Sequence, residues 1–156
     1  MSAARVISMA VSVAIVLGYA VGSAWWVSSG NEWYQGLDRP RWQPPDVVFG
    51  VIWPYNFAAL VAAGVAVAAH GTSTVRMAWL VGLAGSVIAA LAWAYLFYVS
   101  HALWAAAVAL IGAAVVTIVV VAAAFATRTW VGAILVPYQV WLAVAASLSV
   151  GYARLN

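Results

Sequence analysis

The sequence predicts an all-α integral membrane protein, a five-transmembrane-helix bundle with a long structured loop between its first two spans. Three observations lead there. Hydrophobic residues make up 68% of the chain and charged residues 6%, far from the roughly 25% charged content of soluble domains. Five stretches, at about 6–28, 47–69, 77–99, 102–126 and 130–153, reach the ~20 predominantly apolar residues that a spanning helix needs. All three acidic residues, Glu32, Asp38 and Asp46, cluster with Arg39 and Arg41 around the one long connection, 29–46. Hydrocarbon offers the backbone no hydrogen-bond partner, and the runs are too long and continuous for barrel strands, so the spans are helices.

The first span, 6–28, follows Arg5 and contains the small residues Gly22, Ser23 and Ala24, a combination shared with signal peptides. Its apolar run exceeds the ~7–15 residues of a signal h-region, so it reads as a span. Gly18 and Gly22 form a G-x-x-x-G step that either admits a close helix neighbour or is ordinary membrane composition. In the long connection, Pro40 and the Pro44-Pro45 pair hold Arg39 and Gln43 extended. Pro45 and Asp46 suit a helix start, where a missing N–H costs nothing and a carboxylate meets the positive end of the dipole. The other links, 71–76, 100–101 and 127–129, are short. Short links force antiparallel neighbours, so the second to fifth helices are expected to pack as an up-and-down bundle, with the two chain ends on opposite sides of the membrane. Orientation stays open, because Arg5, Arg76 and Arg128 on one side balance Arg39, Arg41 and Arg154 on the other.

Composition narrows the chemistry. There is no cysteine, which excludes disulfides, thiolate nucleophiles and cysteine-ligated metals, and no lysine, which excludes Schiff-base chemistry. Two histidines, His70 and His101, both at expected helix ends, supply a metal site poorly, and none is expected. The net charge of +3 comes from scattered arginines rather than a basic run, so it points to headgroup attraction and not to nucleic acid. No ionisable residue falls at mid-bilayer, which argues against ion pumping and coupled transport.

The second helix carries Phe49, Trp53 and Phe57, spaced four apart and therefore on one face. Such a stripe is either packing against lipid and neighbouring helices or the flat wall of a pocket for a planar ligand. Beside it, Pro54 frees the carbonyl of Gly50 and Asn56 adds an amide. The third helix has Trp93 and Phe97, flanked by Tyr95 and Tyr98, and a file of small residues, Gly82, Ser86, Ala90 and Ala94, which suits a close contact within the bundle or across a dimer. In the fifth helix Pro137 interrupts the hydrogen-bond ladder near Ala133, and Tyr138 and Trp141 lie one turn apart before the small Ala145. Gln139 is either a pocket group or interhelical glue. Val150, Tyr152 and Arg154 fit a loose sterol-contact pattern, or equally an interfacial anchor.

These residues resemble the translocator protein family, also called tryptophan-rich sensory proteins or peripheral benzodiazepine receptors. The string W-Y-x-x-L-x-R-P-x-W-x-P-P-x-x-x-F-x-x-x-W, from Trp33 to Trp53, is highly specific, and L-V-P-Y-Q-V-W-L-A-V-A, from Leu135 to Ala145, is a second match. The terminal Arg154-Leu155-Asn156 is also typical, and the resemblance spans essentially the whole chain. It implies a bundle, commonly dimeric, whose cavity under the first loop binds porphyrins and, in animal members, cholesterol and synthetic drugs. Tyr34, Trp53, Phe57, Trp93, Trp141 and Ala145 are similar to residues lining the family's tetrapyrrole site. Some bacterial members are described as degrading protoporphyrin in light, which makes Trp53 and Trp141 candidates for photochemistry. Two positions depart: Ala90 stands where the family usually has asparagine, with Ala94 at the following small or proline position, and Leu148-Ser149 replaces a common leucine-asparagine pair. The missing amide implies a roomier, more apolar pocket.

The expectation is a bacterial-type receptor or scavenger, multi-pass in the cell membrane and homodimeric. It would hold a porphyrin, or another planar apolar molecule, between the first loop and the second, third and fifth helices. Porphyrin is the ligand, and no cofactor is required. Contacts are expected from Tyr34, Arg39, Trp42, Phe49, Trp53, Phe57, Ala90, Trp93, Phe97, Tyr138, Trp141 and Ala145, with Arg39 or Arg41 as a propionate partner. The competing expectations are a sterol or lipid carrier, and a membrane scaffold with a vestigial pocket.

Overall fold

The computed structural model describes residues 2–156. Their helices are α1 (Ala3–Ser29), α2 (Asn31–Gln35), α3 (Asp46–His70), α4 (Ser73–Tyr98), α5 (Leu103–Thr127), α6 (Thr129–Ala133) and α7 (Val136–Leu155). Five segments are long and apolar enough to cross a membrane: α1, α3, α4, α5, and α6 with α7 as one. The protein is a multi-pass, all-helical membrane protein with a structured loop after its first span.

The boundaries depart from the sequence expectation where local chemistry decides them. α4 begins at Ser73 rather than 77, because the Thr72 hydroxyl caps it by accepting from the Val75 N–H at 3.3 Å. The Arg76 guanidinium folds back onto the Gly71 carbonyl at 2.8 Å, so the α3–α4 link shrinks to Gly71 and Thr72. The last span is broken at Ile134 and Leu135, just ahead of Pro137, where the ladder tightens to a Leu135 N–H to Gly132 carbonyl bond of 3.0 Å. Pro54 leaves α3 continuous. The long connection also holds a helix of its own, the single turn α2.

Antiparallel succession holds, but the neighbour order differs from a simple up-and-down bundle. α4 packs along α5 and α5 along α7, while α1 inserts between α3 and α4 and contacts both; α3 and α4 touch little despite their short link. α3 also meets α7 only sparsely. The small-residue file explains the α4–α5 seam. Gly82, Ser86, Ala90 and Ala94 are all buried inside the single chain, Ser86 Oγ and Thr117 Oγ1 lie 2.6 Å apart, and a Cβ on Gly82 would sit 3.2 Å from Val120 Cγ2. The file is therefore internal and is not open to a second copy. Gln139 acts as glue, donating to the Ala114 carbonyl on α5 at 3.0 Å, and the Trp79 indole crosses to Ser12 Oγ of α1 at 3.0 Å.

Candidate functional site

Where α3 and α7 part, a cavity of about 420 Å³ opens, walled by α1, α3, α4 and α7 and roofed by the first connection. That size falls within the ~300–1,000 Å³ of small-molecule pockets. The fourfold spacing on α3 brings Phe49, Trp53 and Phe57 to one wall. Trp53 and Phe57 lie nearly parallel, 28° apart with centroids at 5.7 Å. Tyr19 of α1 backs both edge-on, at 6.0 and 5.3 Å. From α7, Trp141 stands edge-on to Phe49 at 5.1 Å and to Trp53 at 6.5 Å. Each ring is held by another, so the wall is rigid before any ligand arrives.

Polar groups are distributed unevenly over this surface. The Trp93 indole N–H is satisfied by Ser149 Oγ at 3.2 Å. The Trp141 indole N–H, by contrast, is buried without a partner among the described residues. Apart from Ser23 on α1 and Tyr98 on α4, the remaining polar lining gathers at the roof, from Asn31, Gln35, Tyr34, Gln43, Asp46 and Tyr152. The cavity is thus aromatic below and hydrogen-bonding above, which suits a flat apolar body with a polar edge.

The roof is seated at several points. Tyr152 on α7 donates to the Gln43 carbonyl oxygen and shares a 3.1 Å bond with the Tyr34 hydroxyl, which also receives the Gln43 amide at 3.2 Å. Trp33 stacks on His101 with centroids 3.9 Å apart and planes 13° from parallel. His101 itself sits at φ 57°, a left-handed conformation that turns the chain between α4 and α5. Asp38 and Asn156 exchange bonds, the Asp38 N–H to Asn156 Oδ1 at 2.9 Å and the Asn156 amide to the Asp38 carbonyl at 3.1 Å. Trp42 reaches Ser147 Oγ at 3.3 Å. Arg39 bonds Gln35 and approaches Asp46 at 3.9 Å; at such exposure that ion pair is worth about 0–1 kcal/mol.

Of the residues singled out from sequence, Tyr34, Phe49, Trp53, Phe57, Trp93, Phe97, Trp141 and Ala145 line this cavity. Four others do not. Arg39 and Trp42 lie on the outer side of the roof, in a separate groove. Ala90 is fully buried and is not among the residues that line the cavity. Tyr138 is 1% exposed and packs in the core cluster with Tyr19. The sterol pattern is split, since Tyr152 turns into the cavity while Arg154 is exposed and Val150 is half-buried. Sequence reasoning missed the α1 wall, formed by Ala20, Ser23, Ala24 and Val27. Their i, i+3, i+4, i+7 spacing was the available signal, a small-residue face able to leave space beside it.

The fold and site define a class: a five-span helical membrane protein with a roofed aromatic cavity opening between its helices. The sequence matches the TspO/MBR family over residues 10–155, and the chain belongs to that family. Its relatives include a tryptophan-rich sensory protein of Cereibacter sphaeroides, 30% identical over 130 residues, covering 81% of this chain and 78% of the relative. The translocator protein of Homo sapiens is 31% identical over 147 residues, covering 91% and 85%. Protein CrtK of Rhodobacter capsulatus is 28% identical over 142 residues, covering 83% and 82%.

Proposed function

We propose that the protein is a bacterial-type membrane receptor or scavenger that binds a porphyrin in the roofed cavity. The observation that carries this is an aromatic wall of Trp53, Phe57 and Trp141 beneath a polar roof. The macrocycle would lie against the rings, and its carboxylate edge would face the amides of Asn31, Gln35 and Gln43. Arg39 lies on the outer side of the roof, bonded to Gln35 and facing Asp46, and would reach a propionate only by leaving those partners. The split of Val150, Tyr152 and Arg154 over two faces leaves the sterol alternative resting on the same cavity alone. A homodimer, if formed, uses a face other than the buried small-residue file of α4.

Protoporphyrin titrated into the protein in lipid nanodiscs, followed by its visible absorbance against empty discs, tests this. Trp53→Ala and Trp141→Ala should each weaken binding about tenfold, since a tenfold loss is ~1.4 kcal/mol and the buried ring surface removed exceeds that. Equal affinity in wild type and both variants would place the ligand elsewhere. Following the bound absorbance in light and in the dark then separates a binder from a protein that consumes porphyrin. Light-dependent loss no faster than in empty discs identifies a binder alone.

A further inference from the structure

A second concavity, of about 520 Å³, lies outside the roof, where the first connection meets the end of α7. Asp38, Arg39, Arg41, Trp42, Arg154 and Leu155 form its polar and apolar borders. It gathers three of the six arginines of the chain against one carboxylate, that of Asp38. Arg39 is occupied by Gln35 and Asp46. Arg41 and Arg154 are exposed and have no ion-pair or hydrogen-bond partner among the described residues. Two unpaired guanidinium groups, one from the roof and one from the last turn of α7, thus face one groove.

We infer that this groove binds the headgroup of an anionic phospholipid, with the phosphodiester bridging Arg41 and Arg154. Guanidinium groups suit phosphate oxygens because they donate paired N–H bonds in a fixed plane. The surroundings favour a lipid over a soluble anion. Arg154 ends a spanning helix, which places it at the membrane surface. Trp42 and Leu155, 56% and 51% exposed, rim the groove as interfacial apolar groups do. Below Arg154, the outward face of α7 is a track of Val136, Val140, Ala143 and Ser147, all exposed and at helical spacing, along which an acyl chain can lie. A net negative headgroup is favoured, because Asp38 and Asp46 together offset only two of the three cations. Since the groove straddles roof and helix, a bound headgroup also clasps the roof shut. The site does not depend on what fills the cavity.

Native mass spectrometry of the full chain in detergent, with equimolar dioleoyl phosphatidylglycerol and dioleoyl phosphatidylcholine, tests the assignment. Wild type should retain phosphatidylglycerol preferentially. Arg41→Gln/Arg154→Gln, at two exposed positions and checked for an unchanged melting temperature, should lower that preference by roughly 30-fold, at about one surface-arginine contribution each. Arg5→Gln/Arg128→Gln removes equal charge elsewhere and should leave the preference intact. An undiminished preference in the first variant, or an equal loss in the second, overturns the site. Displacement of the lipid by millimolar inorganic phosphate overturns its assignment to a lipid.

Discussion

At Gly151 the end of α7 touches the roof directly: a Cβ there would approach Pro40 Cγ to 2.7 Å and Trp42 Cζ2 to 2.9 Å. Neither a proline ring nor an indole can yield cheaply, and overpacking of this kind costs about 1–3 kcal/mol. Gly151→Ala should therefore lift the roof while sparing the helices, and trypsin cleavage after Arg41 should accelerate about tenfold; an unchanged cleavage rate would show the roof is held elsewhere. Tyr152 is the second residue-scale test. Its hydroxyl ties Tyr34 and Gln43 to α7, a net contribution of about 1 kcal/mol. Tyr152→Phe should speed porphyrin dissociation about fivefold with little change in melting temperature, and an unchanged rate would remove the hydroxyl from roof closure. Tyr152 also shows what spacing withholds. The helical period sets it opposite Val150 and Arg154, but which side meets the cavity depends on where α3 and α4 lie.

Among the elements, the spans were legible from length and hydropathy, and Phe49, Trp53 and Phe57 were legible as one face. The neighbour order was not. Each span is apolar on every side, so hydrophobicity alone does not separate a lipid-facing stripe from a buried one. The insertion of α1 between α3 and α4 is written instead in small contacts, such as Gly22 against Leu91, where a Cβ would meet Leu91 Cδ2 at 3.0 Å. The same logic places the file of Gly82, Ser86, Ala90 and Ala94 inside the α4–α5 seam. Ala90→Leu then acts on folding rather than on assembly. It should destabilise the chain by about 1–3 kcal/mol through overpacking, seen as a lower melting temperature in detergent. A variant that kept its melting temperature but changed oligomeric state would return the file to a dimer interface.

For the whole molecule, the bundle is closed along α1, α4, α5 and α7 and loosest where α3 meets α7. The cavity occupies that gap, and the first connection covers it with contacts that are individually weak and spread over α4, α7 and the α4–α5 turn. A cover of this kind opens without unfolding the spans, as the proposed ligand would require. The absence of cysteine makes the opening directly testable. Asp38→Cys/Asn156→Cys replaces the reciprocal bonds at 2.9 and 3.1 Å with a reversible covalent latch. Porphyrin exchange, measured by stopped-flow in nanodiscs, should slow at least about tenfold in the oxidised form and recover on reduction. Exchange at the same rate in oxidised and reduced protein would contradict passage of the ligand through the roof.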